Sequence, residues 1–385
     1  MRTEVLVVGG GPAGSTAAMR LAANHEVAIV EEHRIPGKPI QCAGLVTPRG
    51  VPDIARGSVL GQVRGARIHS PLGFVLNIES REPRALVIDR QIFDADLFEA
   101  ALDSGAKPLT ETRLTSLNAN DDHICVETDN GSSKLEIDAD IVIGADGHRS
   151  VCREAAGCKP ARHMLRGAQV ELKGVHSDRD MVDLYLGSKV APGFFAWAIP
   201  AEDMTRVGLC TWGKEHLPAV YLKKLLSRPE FAKAIEVSRS SGRIPIGAGR
   251  SAVGDRIMLV GDAACHAKPL SGGGVYTGTK GAALCADVVS RHLDNGGDTA
   301  LSTYDDLWKK SFGTELARAF RIRKVFLALT DNKMDQALRM FEDPEVRSLI
   351  EKRGDIDYPS ALSKKVLKLA PKLAQFSPQL IKSLL

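Results

Sequence analysis

Three glycines near the start of the chain have a spacing that binds the pyrophosphate of a dinucleotide, Gly9-x-Gly11-x-x-Gly14. Gly9 would form the tight turn after a strand, Gly11 would let a phosphate approach the bare backbone, and Gly14 would let a helix pack closely on the sheet. The helix that begins here, with Ala13 in its first turn, would point unpaired N–H groups at the phosphate. These residues predict a nucleotide cofactor.

An acid follows the second predicted strand, where a dinucleotide-binding fold needs one. The apolar run at residues 5–8 leads into the glycines, and the run at residues 27–30 ends at Glu31. A carboxylate at this position can accept hydrogen bonds from both hydroxyls of a ribose. Glu32 takes that place if the strand register shifts by one residue.

Two later strand ends favour FAD over NAD(P). "IVIGADG" carries Asp146 as its next-to-last residue, and "IMLVGD" ends at Gly261 and Asp262. The carboxylate of Asp262 could accept hydrogen bonds from the ribityl hydroxyls of an extended FAD. Asp146 could bind the cofactor in the same way or could stabilise the turn that contains it. A glycine run further on would let the backbone approach an isoalloxazine ring and comprises Gly272, Gly273 and Gly274.

These motifs resemble the glutathione-reductase-type FAD fold of the FAD-dependent hydroxylase superfamily, over residues 1 to about 300. The segment "VIDRQIFDADL" is similar to a third landmark of that fold and implies that Arg90 lies near the cofactor. Pro269 belongs to the matching pattern "VGDAA…P…GGG". No second GxGxxG motif is present for NAD(P), so the sequence identifies no electron donor, whether NAD(P)H or a ferredoxin.

Three further segments resemble the geranylgeranyl reductase family. "GKPIQCAGLV" is similar to its cysteine-bearing loop and implies that Cys42, Ala43 and Gly44 contact the flavin. "PGFFAWAIP" is similar to its PxxYxWxFP signature, although Phe195 replaces the tyrosine and Ile199 replaces the last phenylalanine. "GDIDYPS" resembles its C-terminal motif. The resemblance implies saturation of prenyl chains on membrane lipids or on chlorophyll side chains.

The segment from Phe195 to Ile199 has the alternation of a strand with one bulky face. Phe195, Trp197 and Ile199 are separated by single alanines, in a chain with only 5% aromatic residues. Such a face could line a site for an isoprenoid chain, because each buried methylene contributes about 0.8 kcal/mol. It could also be an ordinary core strand.

The implied reaction needs an acid as well as a flavin. An isolated alkene is not electron-poor, so a proton must arrive before or with the hydride. Cys42 could donate it, because a cysteine thiol is mostly protonated at neutral pH; a flavin-bound water is the alternative. The faces of Phe195 and Trp197 could stabilise the positive charge that develops on the substrate.

The order of elements predicts an α/β fold of several packed units, as expected for 385 residues. We expect a discontinuous FAD-binding domain of Rossmann-like type at residues 1–63, 84–164 and 251–300. Segments 64–83 and 165–250 are β-rich and predict an inserted antiparallel sheet that binds the substrate. Residues 301–385 have helical periodicity and predict a helical C-terminal domain.

Composition narrows the remaining classes of function. A net charge of +4 without basic runs argues against a nucleic-acid partner, and seven cysteines without metal-ligand spacing favour reduced thiols in a cytoplasm. The last 25 residues carry five lysines and no acid, which predicts peripheral membrane contact or a solvated face. A hydroxylase or halogenase of the same fold and a prenyl-lipid carrier with structural FAD remain alternatives to a reductase.

Overall fold

The structure of this protein is a computed structural model that describes residues 1–120, 122–175, 178–247, 249 and 251–369. The strands are β1 Arg2–Val8, β2 Val27–Val30, β3 Leu45–Val46, β4 Val59–Val63, β5 Gly65–His69, β6 Val75–Glu79, β7 Ala85–Ile88, β8 Lys107–Leu109, β9 Arg113–Ala119, β10 Ile124–Asp129, β11 Lys134–Gly144, β12 His163–Lys173, β13 Met181–Leu186, β14 Phe195–Ala201, β15 Met204–Thr211, β16 Ile235–Ile246 and β17 Ile257–Leu259. The α-helices are α1 Pro12–Leu21, α2 Arg90–Asp103, α3 Val151–Ala155, α4 Pro218–Leu226, α5 Val275–Asp294, α6 Thr303–Trp308, α7 Thr314–Ala328, α8 Asp331–Arg339, α9 Pro344–Arg353 and α10 Ser363–Leu369.

The first sheet has the strand order β8-β2-β1-β11-β10-β9, and β17 pairs with β11. Its centre is parallel, with Val5 of β1 beside Val27 and Ile141. All four residues of β2 are buried, as expected for a parallel strand that is covered on both faces. The glycine turn and the ends of β11 and β17 therefore meet at one edge of this sheet, where α/β folds bind their ligands. The parallel centre of this sheet agrees with the predicted α/β fold and its Rossmann-like sheet.

The second sheet has the order β16-β12-β15-β14-β13-β5-β6 and differs in one respect from the expected antiparallel sheet. Strands β5 and β13 run parallel, with Gly65 beside Met181 and His69 beside Tyr185. A parallel pair needs a long crossover, and here more than a hundred residues, which include β8–β11 of the first sheet, separate the two strands along the chain. The sequence showed the strands but not this pairing.

A small third sheet has the order β3-β7-β4, and its strands come from the stretch of chain between β2 and β8. Beyond residue 300 the described chain is helical, and one turn of π-helix at Lys309–Gly313 joins α6 to α7. The predicted helical character of this region agrees with the structure. The domain boundaries proposed above remain predictions.

In the part of the chain that the structure describes, no helix has the length and the apolar character that a bilayer span requires. The lysine-rich tail for which membrane contact was predicted lies mostly at residues 370–385, outside the described residues.

Candidate active site

The glycine turn after β1 leaves an open surface at the start of α1. Gly9 has a φ of +102°, and a Cβ there would lie 2.4 Å from the carbonyl oxygen of Ala145. A Cβ on Gly14 would lie 1.9 Å from the Gly9 oxygen, so Gly14 permits the close contact of helix and turn. A Cβ on Gly11 would meet no atom within 4 Å. The first turn of α1 therefore has free space in front of it, as phosphate binding requires.

Glu31 is the acid that contacts the glycine turn. Its carboxylate accepts hydrogen bonds from the backbone N–H of Gly10 at 2.7 Å and from the backbone N–H of His33 at 2.8 Å. The Nδ1 atom of His33 lies 2.8 Å from the same carboxylate. Glu32 is exposed and lies 3.9 Å from Arg113. A carboxylate has about four acceptor sites, so Glu31 retains capacity for a ribose hydroxyl.

Asp262 is a half-buried carboxylate at the end of β17, with no hydrogen-bond partner among the described residues. Burial raises its pKa to about 6, although the charge of Arg90 acts in the opposite direction. Polar groups away from water need partners, so this carboxylate suits a ligand that donates hydroxyls. Gly261 has a φ of +59°, and a Cβ on Gly274 would lie 3.2 Å from the Asp262 Oδ1 atom. At these two positions the chain beside the carboxylate has room for a glycine but not for a side chain.

The glycine run after β17 forms a second wall beside Asp262. Gly272 has a φ of +72°, and a Cβ there would lie 3.3 Å from the ring of Phe194. A Cβ on Gly273 would lie 3.1 Å from Cε of Lys268. Pro269 is buried behind this loop and does not line the cavity. The loop, the glycine turn and Asp262 together fit an extended FAD, with room for phosphates, ribityl hydroxyls and a ring.

Asp146, the other predicted acid, has a structural role in its turn. Its carboxylate accepts hydrogen bonds from Ser150 Oγ at 2.6 Å, from Val151 N at 2.7 Å and from Cys152 N at 3.1 Å. Three partners occupy most of its acceptor sites. Asp146 also lines the cavity, and cofactor contact through its side chain remains a prediction.

Cys42 lies half-buried in the cavity wall. Its Sγ atom accepts a weak hydrogen bond from the N–H of Gly44 at 3.4 Å. Burial disfavours the charge of Arg90, but the neighbouring Asp94 and Cys42 outweigh this effect and raise the pKa of the guanidinium. Arg90 donates twice to Asp94, at 2.8 Å each, so its side chain is held rigidly beside the thiol.

Arg206 on β15 holds the cysteine loop in place, which sequence reasoning missed. Its Nη1 atom donates to the carbonyl oxygens of Ala43 at 3.0 Å and Ile88 at 2.9 Å. Its Nε atom donates to Glu171 at 3.1 Å. Gly44 has a φ of +72°, and a Cβ there would lie 2.3 Å from Arg206 Nη1. No local sequence signal joins residues this far apart.

The aromatic segment forms strand β14, and its bulky face lines the cavity. The rings of Phe195 and Trp197 meet edge to face at 6.2 Å, and Phe195 stacks on Phe194 at 4.2 Å. Trp197 Nε1 donates to Gln169 at 2.9 Å, which fixes the indole. Ile199 is almost fully buried in the same row. The substrate role of this row remains a prediction.

The cavity has a volume of about 1730 Å³ and includes the glycine turn, Asp262, Cys42 and the aromatic row. Of the predicted site residues, all except Gly14 and Pro269 line it. The C-terminal helices close one side with apolar side chains, which include Ile322, Val325, Phe326, Leu329, Leu338 and Phe341. Their three- and four-residue spacing was visible in the sequence, but a cavity wall and a core face have the same spacing.

The C-terminal motif is joined to the cofactor region through a buried ion pair. Asp357 has no exposed side-chain surface and lies 2.5 Å from Lys268 Nζ. Thr47 Oγ1 donates to the same carboxylate at 2.7 Å, and Arg49 pairs with Asp355 at 2.8 Å. These contacts connect the segment after α9 to the loop that contains Lys268 and to the segment after β3.

His266 does not have the surroundings of a catalytic base. Its ring lies 4.9 Å from the ring of Trp308 and 5.0 Å from that of Phe312, and both of its nitrogens lack a described partner. Burial lowers its pKa to about 3, so the imidazole is neutral and packs as part of the core.

The chain matches the family described as FAD binding domain over residues 2–230. An uncharacterized protein of Methanocaldococcus jannaschii is 33% identical, over 95% of each chain. The digeranylgeranylglycerophospholipid reductase 1 of Methanothermobacter thermautotrophicus is 31% identical, over 96% of each chain. A solved geranylgeranyl bacteriochlorophyll reductase-like protein from Thermoplasma acidophilum superposes with a TM-score of 0.85 at 22% identity, over 98% of this chain and 99% of that one. The last comparison shows a common fold.

Proposed function

This chain belongs to the FAD-binding domain family and to the digeranylgeranylglycerophospholipid reductases within it, and from that membership we propose that it saturates isolated double bonds in the geranylgeranyl chains of a membrane-lipid precursor. The protein is an FAD-dependent oxidoreductase. The proposal concerns its substrate and the roles of individual residues.

The observation that carries the proposal is the size and lining of the cavity. Ligand sites in proteins typically have about 300–1,000 Å³. The cavity of about 1730 Å³ is larger and supports a cofactor and a second ligand at the same time. The wall beyond the glycine loops combines the row Phe195–Trp197–Ile199 with the apolar faces of α7 and α8. A long hydrocarbon chain suits such a wall, since each buried methylene contributes about 0.8 kcal/mol without any hydrogen bond.

The residues around this wall fit the chemistry that alkene saturation requires. When bound, FAD supplies the hydride equivalent. Cys42 donates a proton to the less substituted carbon of the double bond, and Arg206 keeps the Cys42 loop at the cavity wall. The faces of Phe195 and Trp197 stabilise the positive charge at the more substituted carbon by cation–π attraction, worth about 1–2 kcal/mol in a dry site. The apolar helices exclude water that would capture this charge.

The test uses the holoprotein, reduced under anaerobic conditions and mixed with a geranylgeranyl lipid. We expect the flavin to reoxidise while mass spectrometry shows that the lipid gains two hydrogens for each double bond. In a parallel reaction in air, rapid oxygen consumption that depends on the lipid would instead indicate a monooxygenase. Binding of the lipid without flavin turnover would indicate a carrier, and either outcome would overturn the proposed reaction.

A further inference from the structure

Three arginines line the cavity, two of them on neighbouring strands of the second sheet and one in the turn that follows Asp146. Arg166 on β12 and Arg243 on β16 are direct partners in the antiparallel register, so their side chains project from the same face of the sheet. Arg149 follows the turn after β11 and lines the cavity with them. Like charges directly opposite each other destabilise a sheet. An anion between them would remove this repulsion.

No described carboxylate forms an ion pair with any of the three arginines. Arg166 donates to the carbonyl oxygen of Lys214 at 3.2 Å, which leaves its charge uncompensated. The buried Arg206, by contrast, has its charge compensated, since it pairs with an acid at 3.1 Å. The pKa of His148 is lowered by burial and then by the charges of Arg149 and Arg243, so both arginines act on the same region. The part of the cavity that these arginines line therefore carries a net positive charge.

We propose that Arg149, Arg166 and Arg243 bind a phosphate group of a ligand that enters the cavity. A guanidinium fork binds phosphate oxygens through two parallel hydrogen bonds, and three forks around one site suit a phosphate monoester or diester. The cavity lining also includes Leu217 and Ala219 at the start of α4, both exposed to solvent and apolar. A ligand with a phosphate on the arginines and a hydrocarbon part on the aromatic row would contact both groups of lining residues.

Two ligands share this chemistry, the phosphorylated head group of a prenyl-glycerol lipid and the phosphates of a pyridine nucleotide. The lipid source rests on the proposed function. The nucleotide source requires only that the flavin take its electrons from an external reductant, which holds for a hydroxylase as well as for a reductase. The experiment below separates the two sources.

The holoprotein is titrated with geranylgeranylglycerol phosphate, with the unphosphorylated geranylgeranylglycerol and with NADPH, and binding is followed by tryptophan fluorescence and flavin absorbance. The variants are the Arg166→Gln/Arg243→Gln pair and Arg149→Gln. The matched control is Arg318→Gln, which removes the same charge from an exposed position on α7 that does not line the cavity. FAD content and the thermal unfolding midpoint verify that each variant is folded.

If the lipid head group is the ligand, each cavity variant weakens binding of the phosphorylated lipid by about tenfold to a hundredfold and leaves the alcohol unchanged. If the nucleotide is the ligand, the same loss appears for NADPH alone. Losses no larger than those of Arg318→Gln for both phosphorylated ligands refute the site. The proposed function fails separately, if the reduced wild-type holoprotein saturates neither the phosphorylated lipid nor the unphosphorylated alcohol.

Discussion

Replacing Asp262 with asparagine should make the protein without FAD more stable and should weaken its affinity for FAD. The carboxylate lies half-buried at the end of β17, has no described hydrogen-bond partner, and has a pKa that burial raises to about 6. In the absence of cofactor its ionised form is therefore unfavourable. In the holoprotein the same carboxylate is expected to accept hydrogen bonds from ribityl hydroxyls, which an amide oxygen accepts less strongly.

The size of the stability change follows from the raised pKa. An unfolded aspartate has a pKa of about 3.9, so the folded carboxyl is shifted upward by about two units, equivalent to about 3 kcal/mol. Because the folded state binds its proton more tightly, the protein without FAD loses stability as pH rises from about 4 to 6, and the full loss persists above pH 7. The Asp262→Asn variant lacks this loss. It should be more stable than the wild type by up to about 3 kcal/mol at pH 7.5 and by almost nothing near pH 4.

The measurement is thermal and chemical unfolding of the FAD-free wild type and variant at both pH values, with FAD affinity determined by fluorescence titration at pH 7.5. Asp255→Asn, an exposed carboxylate just before the same strand, is the matched control and should change neither quantity. We expect FAD affinity to fall about tenfold to a hundredfold, as for the loss of a charged hydrogen bond. The reasoning is refuted if the variant is less stable at pH 7.5 or if its gain is the same at both pH values. Unchanged FAD affinity would show that Asp262 does not bind the ribityl chain.

Three further predictions concern Cys42, Trp197 and the ion pair between Lys268 and Asp357. Cys42→Ser should slow single-turnover alkene reduction by about a hundredfold or more while FAD binding is retained, and Cys125→Ser is the remote control; an unchanged rate would assign the proton to a water. Trp197→Leu should slow the same step by about tenfold through loss of cation–π stabilisation, measured by rapid mixing, and an effect on lipid affinity alone would limit Trp197 to packing. Lys268→Met should lower the free energy of unfolding by up to about 3–5 kcal/mol because it removes the nearest cation from buried Asp357 and leaves only Thr47 and the more distant Arg49, at 3.6 Å, as partners. The double change with Asp357→Leu should recover much of this loss in thermal unfolding, and equal losses in the single and double variants would contradict the argument.

The cofactor and the family could be read from contiguous stretches of sequence. The GxGxxG turn predicted a nucleotide, and the strand end at Asp262 with its glycine run predicted FAD; both predictions are confirmed. The choice between Glu31 and Glu32 needed the structure, because a shift of one residue exchanges the two faces of a strand. The structural role of Asp146 also needed the structure, because an acid that stabilises a turn and an acid that binds a ligand look alike in a sequence.

Contacts between distant segments could not be predicted. Arg206 touches the cysteine loop across 163 positions of the chain, and the parallel pair β5–β13 depends on a crossover of more than a hundred residues. The apolar faces of α7 and α8 were visible as periodicity. Their place in a cavity wall could not be predicted, because the pattern shows which side of a helix is apolar but not what that side contacts.

The amino-acid order alone determined the cofactor class, since the turn, the helix start and the strand-end acids that are typical of a dinucleotide site follow from local backbone preferences over a few residues. Only the tertiary structure decided what lies across from these elements: which helices close the cavity, which arginine holds the cysteine loop, and that Arg166 and Arg243 are direct partners with no acid of the described chain paired to them. Side-chain repulsion and burial depend on through-space distance, and that distance is set by the packing of the whole chain.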